Sequence, residues 1–169
     1  MPVSEDPLAI EQKVLAAVEA TGEPFEVIEI DPDLADTAAF CARYGYAPEV
    51  SGNCILVASR DEPPVVAACL ALATTRLDVN KRVRRLLEVR KLSFAPAELT
   101  RELTGMEIGG VTPFALPPGL PLYLDARIAE LDRVIVGGGS RSIKLLVAPA
   151  ALTAVGGTFV TDLAVETSG

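Results

Sequence analysis

The sequence predicts a mixed α+β domain, and three observations carry that prediction. Half of the 169 residues are apolar, enough to bury one sizeable core without help from metals or disulfides. Apolar runs of strand length are joined by a short turn in one place and by helical patterns in others, which is the pattern of an α+β fold. No internal repeat, linker or low-complexity segment interrupts the chain, so residues 1–169 are expected to form a single domain.

Residues 1–5 read as a frayed terminus. Asp6-Pro7 supplies an N-cap and a proline at the first helical position, and Leu8, Ile10, Val14, Leu15 and Val18 continue as an apolar stripe that Gly22 ends. Phe25 to Ile30 alternates in part and reads as a strand. Asp36 is positioned to cap a short helix through Ala42, with Phe40 and Cys41 toward the sheet and Gly45 as its stop. Cys54 to Ala58 is a continuous apolar run, hence a central strand. Arg60 to Pro64 is a turn, and Val65 to Ala73 is the antiparallel partner. Asp78 caps a helix through Leu87, with Val83, Leu86 and Leu87 inward. Leu92 to Phe94 is a short strand, and Ala95-Pro96 opens a helix that Gly105 ends. Strands follow at 121–124, 133–136 and 143–147, with a turn or short helix at 126–130. A short helix at 149–154 and a final strand at 158–160 close the chain.

The segment from Thr104 to Gly119 holds four glycines and three prolines yet stays apolar between them. Surface loops are usually built from small polar residues. An ordered loop of fixed direction is expected instead, with Met106, Ile108, Val111, Phe114 and Leu116 available for packing. Gly109 and Gly110 permit positive φ or close approach, and Pro113 biases Thr112 toward an extended backbone. N–H groups on either side of Gly110 are then suited to bind an oxygen, as in an oxyanion site. The alternative is a structural crossover between strands.

Composition narrows the chemistry. The chain has no histidine, which removes Ser–His and Cys–His catalysis and most zinc sites. Its three cysteines show no metal-ligand spacing, so neither a metal nor another cofactor is expected. Their odd number and the lack of a secretory leader point to reduced thiols and a cytoplasmic setting. No apolar run approaches the roughly 20 residues of a membrane span. A net charge of −8 argues against nucleic-acid binding over the whole surface but leaves room for a local basic patch.

Thr104-Gly105, Gly109-Gly110-Val111-Thr112-Pro113-Phe114 and Leu116-Pro117-Pro118-Gly119-Leu120-Pro121 resemble the central signature of the YbaK-like aminoacyl-tRNA deacylases, which include the prolyl-tRNA synthetase-associated editing domain. Leu122 to Asp125, Val134 to Arg141 and Lys144-Leu145 follow in the family's order, and Arg76 to Lys81 resembles its strand-to-helix junction. The resemblance covers about residues 25–160. It implies a mostly antiparallel, curled sheet surrounded by helices, and an enzyme acting in trans on the acceptor end of a mischarged tRNA. In the family the glycine loop contacts the aminoacyl group near its ester carbonyl, and the substrate's own ribose hydroxyl can assist.

Four groups of residues are then candidates. Gly109 and Gly110 are expected to supply backbone donors, with Thr112 and Pro113 beside them. Asn53 stands where most of the family has a pocket lysine. An ammonium is thereby replaced by a neutral amide, whose hydrogen bonds are about half as strong. Asn53 either orients a substrate oxygen in a rebuilt pocket, or the chain is a non-catalytic binding module, or Asn53 only closes the turn before the strand. Arg76 and Asp78, and Gly138, Gly139, Ser140 and Arg141 after an apolar strand, are further substrate-binding candidates; Asp78 is equally an N-cap. Lys81 to Lys91 concentrates six of the fifteen basic residues, so Arg82, Arg84 and Arg85 are tRNA-binding candidates, the alternative being a solvated helix face. Cys54 lies beside Asn53, but nothing titratable nearby lowers its pKa, and strand alternation points it away; packing is its expected role. Gly110→Ala is expected to harm function more than folding.

Overall fold

The structure, a computed structural model, describes residues 6–167. The expectation for residues 1–5 therefore lies outside the described residues. Helix α1 (Pro7–Ala20) starts as the sequence implies: the Asp6 carboxylate accepts from the Leu8 N–H at 3.2 Å. Ile10, Val14 and Val18 form its buried stripe, whereas Leu8 stands out in solvent at 64% exposure. Strand β1 (Phe25–Glu29) and helix α2 (Thr37–Tyr44) follow, with Gly45 stopping α2 at φ +77°. Asp36 holds the N-cap position of α2, but its side chain makes no cap hydrogen bond.

Strands β2 (Gly52–Ser59) and β3 (Val66–Leu72) form the expected antiparallel hairpin, in register from Gly52 opposite Leu72 to Ala58 opposite Val66. Strand β4 (Thr75–Leu77) is too short for its periodicity to show in sequence. The helix expected over 78–87 begins with a π-helical turn at Val79–Val83 before the α-helical turn α3 (Arg84–Leu87). Then come β5 (Leu92–Phe94), α4 (Ala97–Thr104), β6 (Leu122–Asp125), a 3-10 turn at Ala126–Glu130, β7 (Val134–Gly137), β8 (Ile143–Val147), α5 (Pro149–Ala154) and β9 (Thr158–Val160). The strand at 158–160 is not the last: β10 (Ala164–Glu166) returns to pair with β4.

The strands form three sheets. The largest runs β5-β2-β3-β6-β9, antiparallel on the hairpin side and parallel where β3 meets β6 and β6 meets β9. Parallel pairing needs a long crossover, and the chain from β4 through the glycine–proline loop provides it. The second sheet, β1-β8-β7, is antiparallel throughout, and β10-β4 is a two-stranded ribbon. A parallel bridge from Ser51 to Ile135 ties the start of β2 to β7. The main core lies between α1, the large sheet and β7–β8, with Phe114 and Met106 of the loop fully buried in it. The loop is thus ordered because its apolar residues are core. Among the described residues no helix is long and apolar enough to cross a membrane.

Candidate active site

A cleft of about 290 Å³ opens where the two larger sheets meet. One wall is the start of α2, with Ala35, Asp36 and Thr37. The floor is β2 from Gly52 to Leu56. Ala95 and Thr100 close one side, Ile108, Gly109 and Val111 another, and Gly137 and Lys144 complete it.

Two glycine runs clamp the loop in place. The Gly139 N–H donates to the Gly110 carbonyl at 2.7 Å, and the Glu107 N–H donates to the Gly139 carbonyl at 3.3 Å. The chains pass so closely that a Cβ on Gly110 would lie 2.2 Å from the Ser140 carbonyl oxygen, and one on Gly137 would lie 2.4 Å from that of Val111. Gly110 is itself buried, and its N–H is spent on the Glu107 carbonyl at 2.8 Å. The N–H groups on either side differ. Those of Gly109 and Val111 find no acceptor among the described residues, and both residues border the cleft. An unpaired backbone donor in such a place is costly unless water or a ligand meets it.

Arg141 sets the rim. Its Nε donates to the Pro32 carbonyl at 3.0 Å, and its Nη1 to the Ile108 carbonyl at 2.8 Å and to Asp36 at 3.3 Å. The guanidinium thus staples the start of α2 to the glycine loop. This explains the missing cap bond: the Asp36 carboxylate faces Arg141 instead. Arg141 is therefore anchored by the protein through Nε and Nη1, and only Nη2 has no partner among the described residues.

Asn53 borders the cleft, where its Oδ1 accepts a short hydrogen bond from the Thr37 hydroxyl. That bond takes one of the two lone pairs of Oδ1, and the amide NH2 keeps its donor capacity. The ammonium absent at position 53 has a counterpart on another strand. Lys144, from β8, borders the cleft with only 6% of its surface exposed. Its Nζ sits 5.1 Å from the centre of the Phe40 ring, itself stacked on Tyr46. Among the described residues no carboxylate pairs with it and no hydrogen bond holds it. No fully enclosed side-chain nitrogen lacks a partner in the described residues, so Nζ is not sealed off, and the cleft is the cavity that Lys144 lines. Desolvation by burial lowers its pKa from the ordinary 10.5; Cys41 and Asp36 oppose the shift and Arg141 adds to it. Sequence reasoning passed over Lys144. The available signal was a single charge inside the apolar strand Ile143–Val147.

That shift has a stability consequence. A lysine whose folded pKa lies below its unfolded value costs stability at neutral pH, and the cost disappears as pH rises through the folded value toward 10.5. Lys144→Met should therefore unfold at the same or higher urea concentration than wild type at pH 7, with the gap closing by pH 10.5. A variant clearly less stable at pH 7 would show that the cation–π contact outweighs desolvation.

Other sequence candidates fall elsewhere. Thr112 and Pro113 are buried behind the cleft. Gly138 packs on Ile143, Gly139 on Ile10, and the buried Ser140 hydroxyl donates to Glu11 of α1. Arg76 and Asp78 line a separate groove of about 660 Å³ with Leu92, Phe94 and Val165. Asp78 accepts from the Lys81 N–H at 3.3 Å and so acts as a cap. Arg82 is half-buried, and its Nε donates to the Thr161 carbonyl at 3.0 Å, which leaves both Nη groups without a partner among the described residues. Arg84 is bound to the Asn80 and Val89 carbonyls, while Arg85 is exposed. Cys54 borders the cleft despite the alternation expected for it. Burial, then the neighbouring Cys69, pushes its thiol far above the usual range, and burial pushes Cys69 up to about 12. Neither is a thiolate at neutral pH. No group of three or more His, Cys, Asp or Glu among the described residues is placed to hold a metal ion.

The chain was compared with known proteins. It is 32% identical over 94 residues to the uncharacterised protein YwhH of Bacillus subtilis (strain 168), a match that takes in 56% of this chain and 59% of that relative's length. A protein solved as a candidate trans-editing enzyme for prolyl tRNA synthetase shares the fold with a TM-score of 0.78 at 24% identity, over 94% of this chain and 98% of the other. The hypothetical protein APE2540 superposes with a TM-score of 0.79 at 27% identity, over 90% and 99% of the two chains. The mixed α+β fold is therefore that of the YbaK-type editing domains. The sequence profile of the aminoacyl-tRNA editing domain matches residues 31–155, most of the chain, and the protein belongs to that family.

Proposed function

We propose that the cleft hydrolyses the ester of a mischarged aminoacyl-tRNA, with the protein acting in trans. The observation that carries this reading is the pair of unpartnered N–H groups of Gly109 and Val111 at the cleft of a chain from this family. Water attacks the ester carbonyl and the bond from carbon to ribose oxygen breaks. The ribose oxygen takes the proton, giving free amino acid and deacylated tRNA. The developing oxyanion is met by the two backbone donors, a type of contact worth about 10²–10³ in rate per donor. Among the described residues Asp36 is the only carboxylate at the cleft and is held by Arg141, so the proton transfers fall to water and the substrate's ribose hydroxyl.

A second reading has one observation in its favour. Asn53 replaces an ammonium with a neutral amide, which suits a module that binds tRNA ends without cleaving them. Incubation with a panel of mischarged tRNAs separates the two. Amino acid release above the spontaneous rate from at least one tRNA supports the enzyme. Binding of tRNA with no release from any member of the panel supports the module.

The tRNA body is proposed to contact the basic segment. Arg82 and Arg84 each bond main-chain carbonyls, whereas Arg85, like Arg90, is exposed with no bond to the described residues. Arg85→Gln should weaken tRNA binding and reduce the slope of log K against log salt by about one. Arg82→Gln should act mainly on stability. An unchanged slope in Arg85→Gln would leave a solvated helix face.

A further inference from the structure

The cleft is unbalanced in its hydrogen-bonding groups. Lys144 brings three N–H donors on a buried ammonium that no carboxylate meets among the described residues. Asn53 retains its amide donors, while its oxygen accepts from Thr37. Gly109 and Val111 each present an N–H without an acceptor among the described residues. The Thr100 hydroxyl can serve either way. The only opposing carboxylate among the described residues, Asp36, has a side chain 73% exposed at the rim and paired with Arg141 at 3.3 Å. A buried cation with no carboxylate in direct contact is expensive, and a ligand that supplies one relieves the cost.

We infer that the cleft is built to seat an anionic, acceptor-only oxygen on the Lys144 ammonium, which makes Lys144 the specificity-determining residue of the site. The inference rests on the deacylase reading only for what carries that oxygen. In an aminoacyl-tRNA two groups can present it: the carboxylate of an acidic aminoacyl side chain, or a phosphate of the terminal nucleotide. Where the aminoacyl side chain is the group that meets Lys144, a cationic side chain is rejected, since the two like charges would share a site of low dielectric.

Equilibrium binding tests this without any turnover. The probes are 3′-amino-3′-deoxyadenosine acylated through an amide with alanine, aspartate or lysine, each with and without a 5′-phosphate, titrated calorimetrically. Wild type should prefer the aspartyl over the alanyl probe, or the phosphorylated over the unphosphorylated probes, by at least tenfold. Whichever preference appears identifies the source of the oxygen; if it is the side-chain carboxylate, the lysyl probe should bind weakest. Lys144→Met and Lys144→Gln should abolish the preference, and Lys144→Arg should keep part of it. Circular dichroism of each variant establishes that it is folded. The inference is overturned if wild type binds all six probes alike, if it binds none, or if folded Lys144→Met keeps the preference. A protein that hydrolyses no mischarged tRNA yet shows the Lys144-dependent preference would refute the deacylase reading and leave this one standing.

Discussion

Gly110→Ala should lose about 3 kcal/mol of stability, the upper end of what overpacking usually costs. The added Cβ would lie 2.2 Å from the Ser140 carbonyl oxygen, 2.5 Å from its carbon and 3.0 Å from its Cα. These are main-chain atoms, so no rotamer change relieves the clash. The two segments must separate, and separation breaks the hydrogen bond from Gly139 to Gly110. Since a domain is typically stable by only about 5–15 kcal/mol, such a loss is large. Urea denaturation followed by circular dichroism measures it. Gly22→Ala is the control, because that glycine has positive φ but open space around it; it should cost only about 1 kcal/mol. A Gly110→Ala protein within 1 kcal/mol of wild type would mean that the clamp yields. The outcome expected here reverses the one drawn from sequence. The Gly-Gly pair before Thr-Pro allows close approach of another backbone or of a ligand, and at Gly110 it is another stretch of backbone that fills the room.

Asn53→Lys should impair both folding and any deacylation. The new ammonium would enter the cleft that Lys144 already occupies, and two unit charges about 5 Å apart at an effective dielectric of about 20 repel by roughly 3 kcal/mol. Thr37 would also lose the acceptor for its hydroxyl. Removing Lys144 should relieve the repulsion, so Asn53→Lys with Lys144→Met should recover much of the lost stability. The double-mutant cycle reads this coupling directly. Asn53→Ala leaves the charge unchanged and should lower kcat/KM on a responsive tRNA by about 1–3 kcal/mol, the worth of one hydrogen bond in a dry site. A gain of deacylation in Asn53→Lys with Lys144 intact would show that the pocket decayed from one that used a lysine at 53.

Much of the fold was legible because it is written locally. Asp6-Pro7, Gly45 and Gly105 punctuate helices by caps and positive φ, effects confined to a few residues. The β2–β3 hairpin announces itself by two apolar runs around a turn. The glycine–proline loop was recognised as ordered because its apolar residues needed somewhere to pack, and Phe114 and Met106 are indeed buried. The family, too, could be read from that loop and its flanks. Strands β4 and β10 were not legible: three residues carry no periodicity, and each exists because the other pairs with it.

The site was decided by tertiary structure. Sequence neighbours such as Arg76 and Asp78 looked like pocket residues but lie on a different groove, because β4 leads away from the cleft. Arg141 and Ser140 looked available, yet both are held by hydrogen bonds to segments more than 30 residues away in the chain. Lys144 looked like one charge in an apolar strand. Its place in the proposed site depends on β8 running beside β7, on Phe40 lying under its ammonium and, among the described residues, on the one carboxylate at the cleft being engaged by Arg141. Caps, turns and apolar runs are properties of neighbouring residues, so a sequence contains them. Whether a charge is paired is settled only by what the folded chain brings within a few ångströms of it, and that was not legible in this sequence.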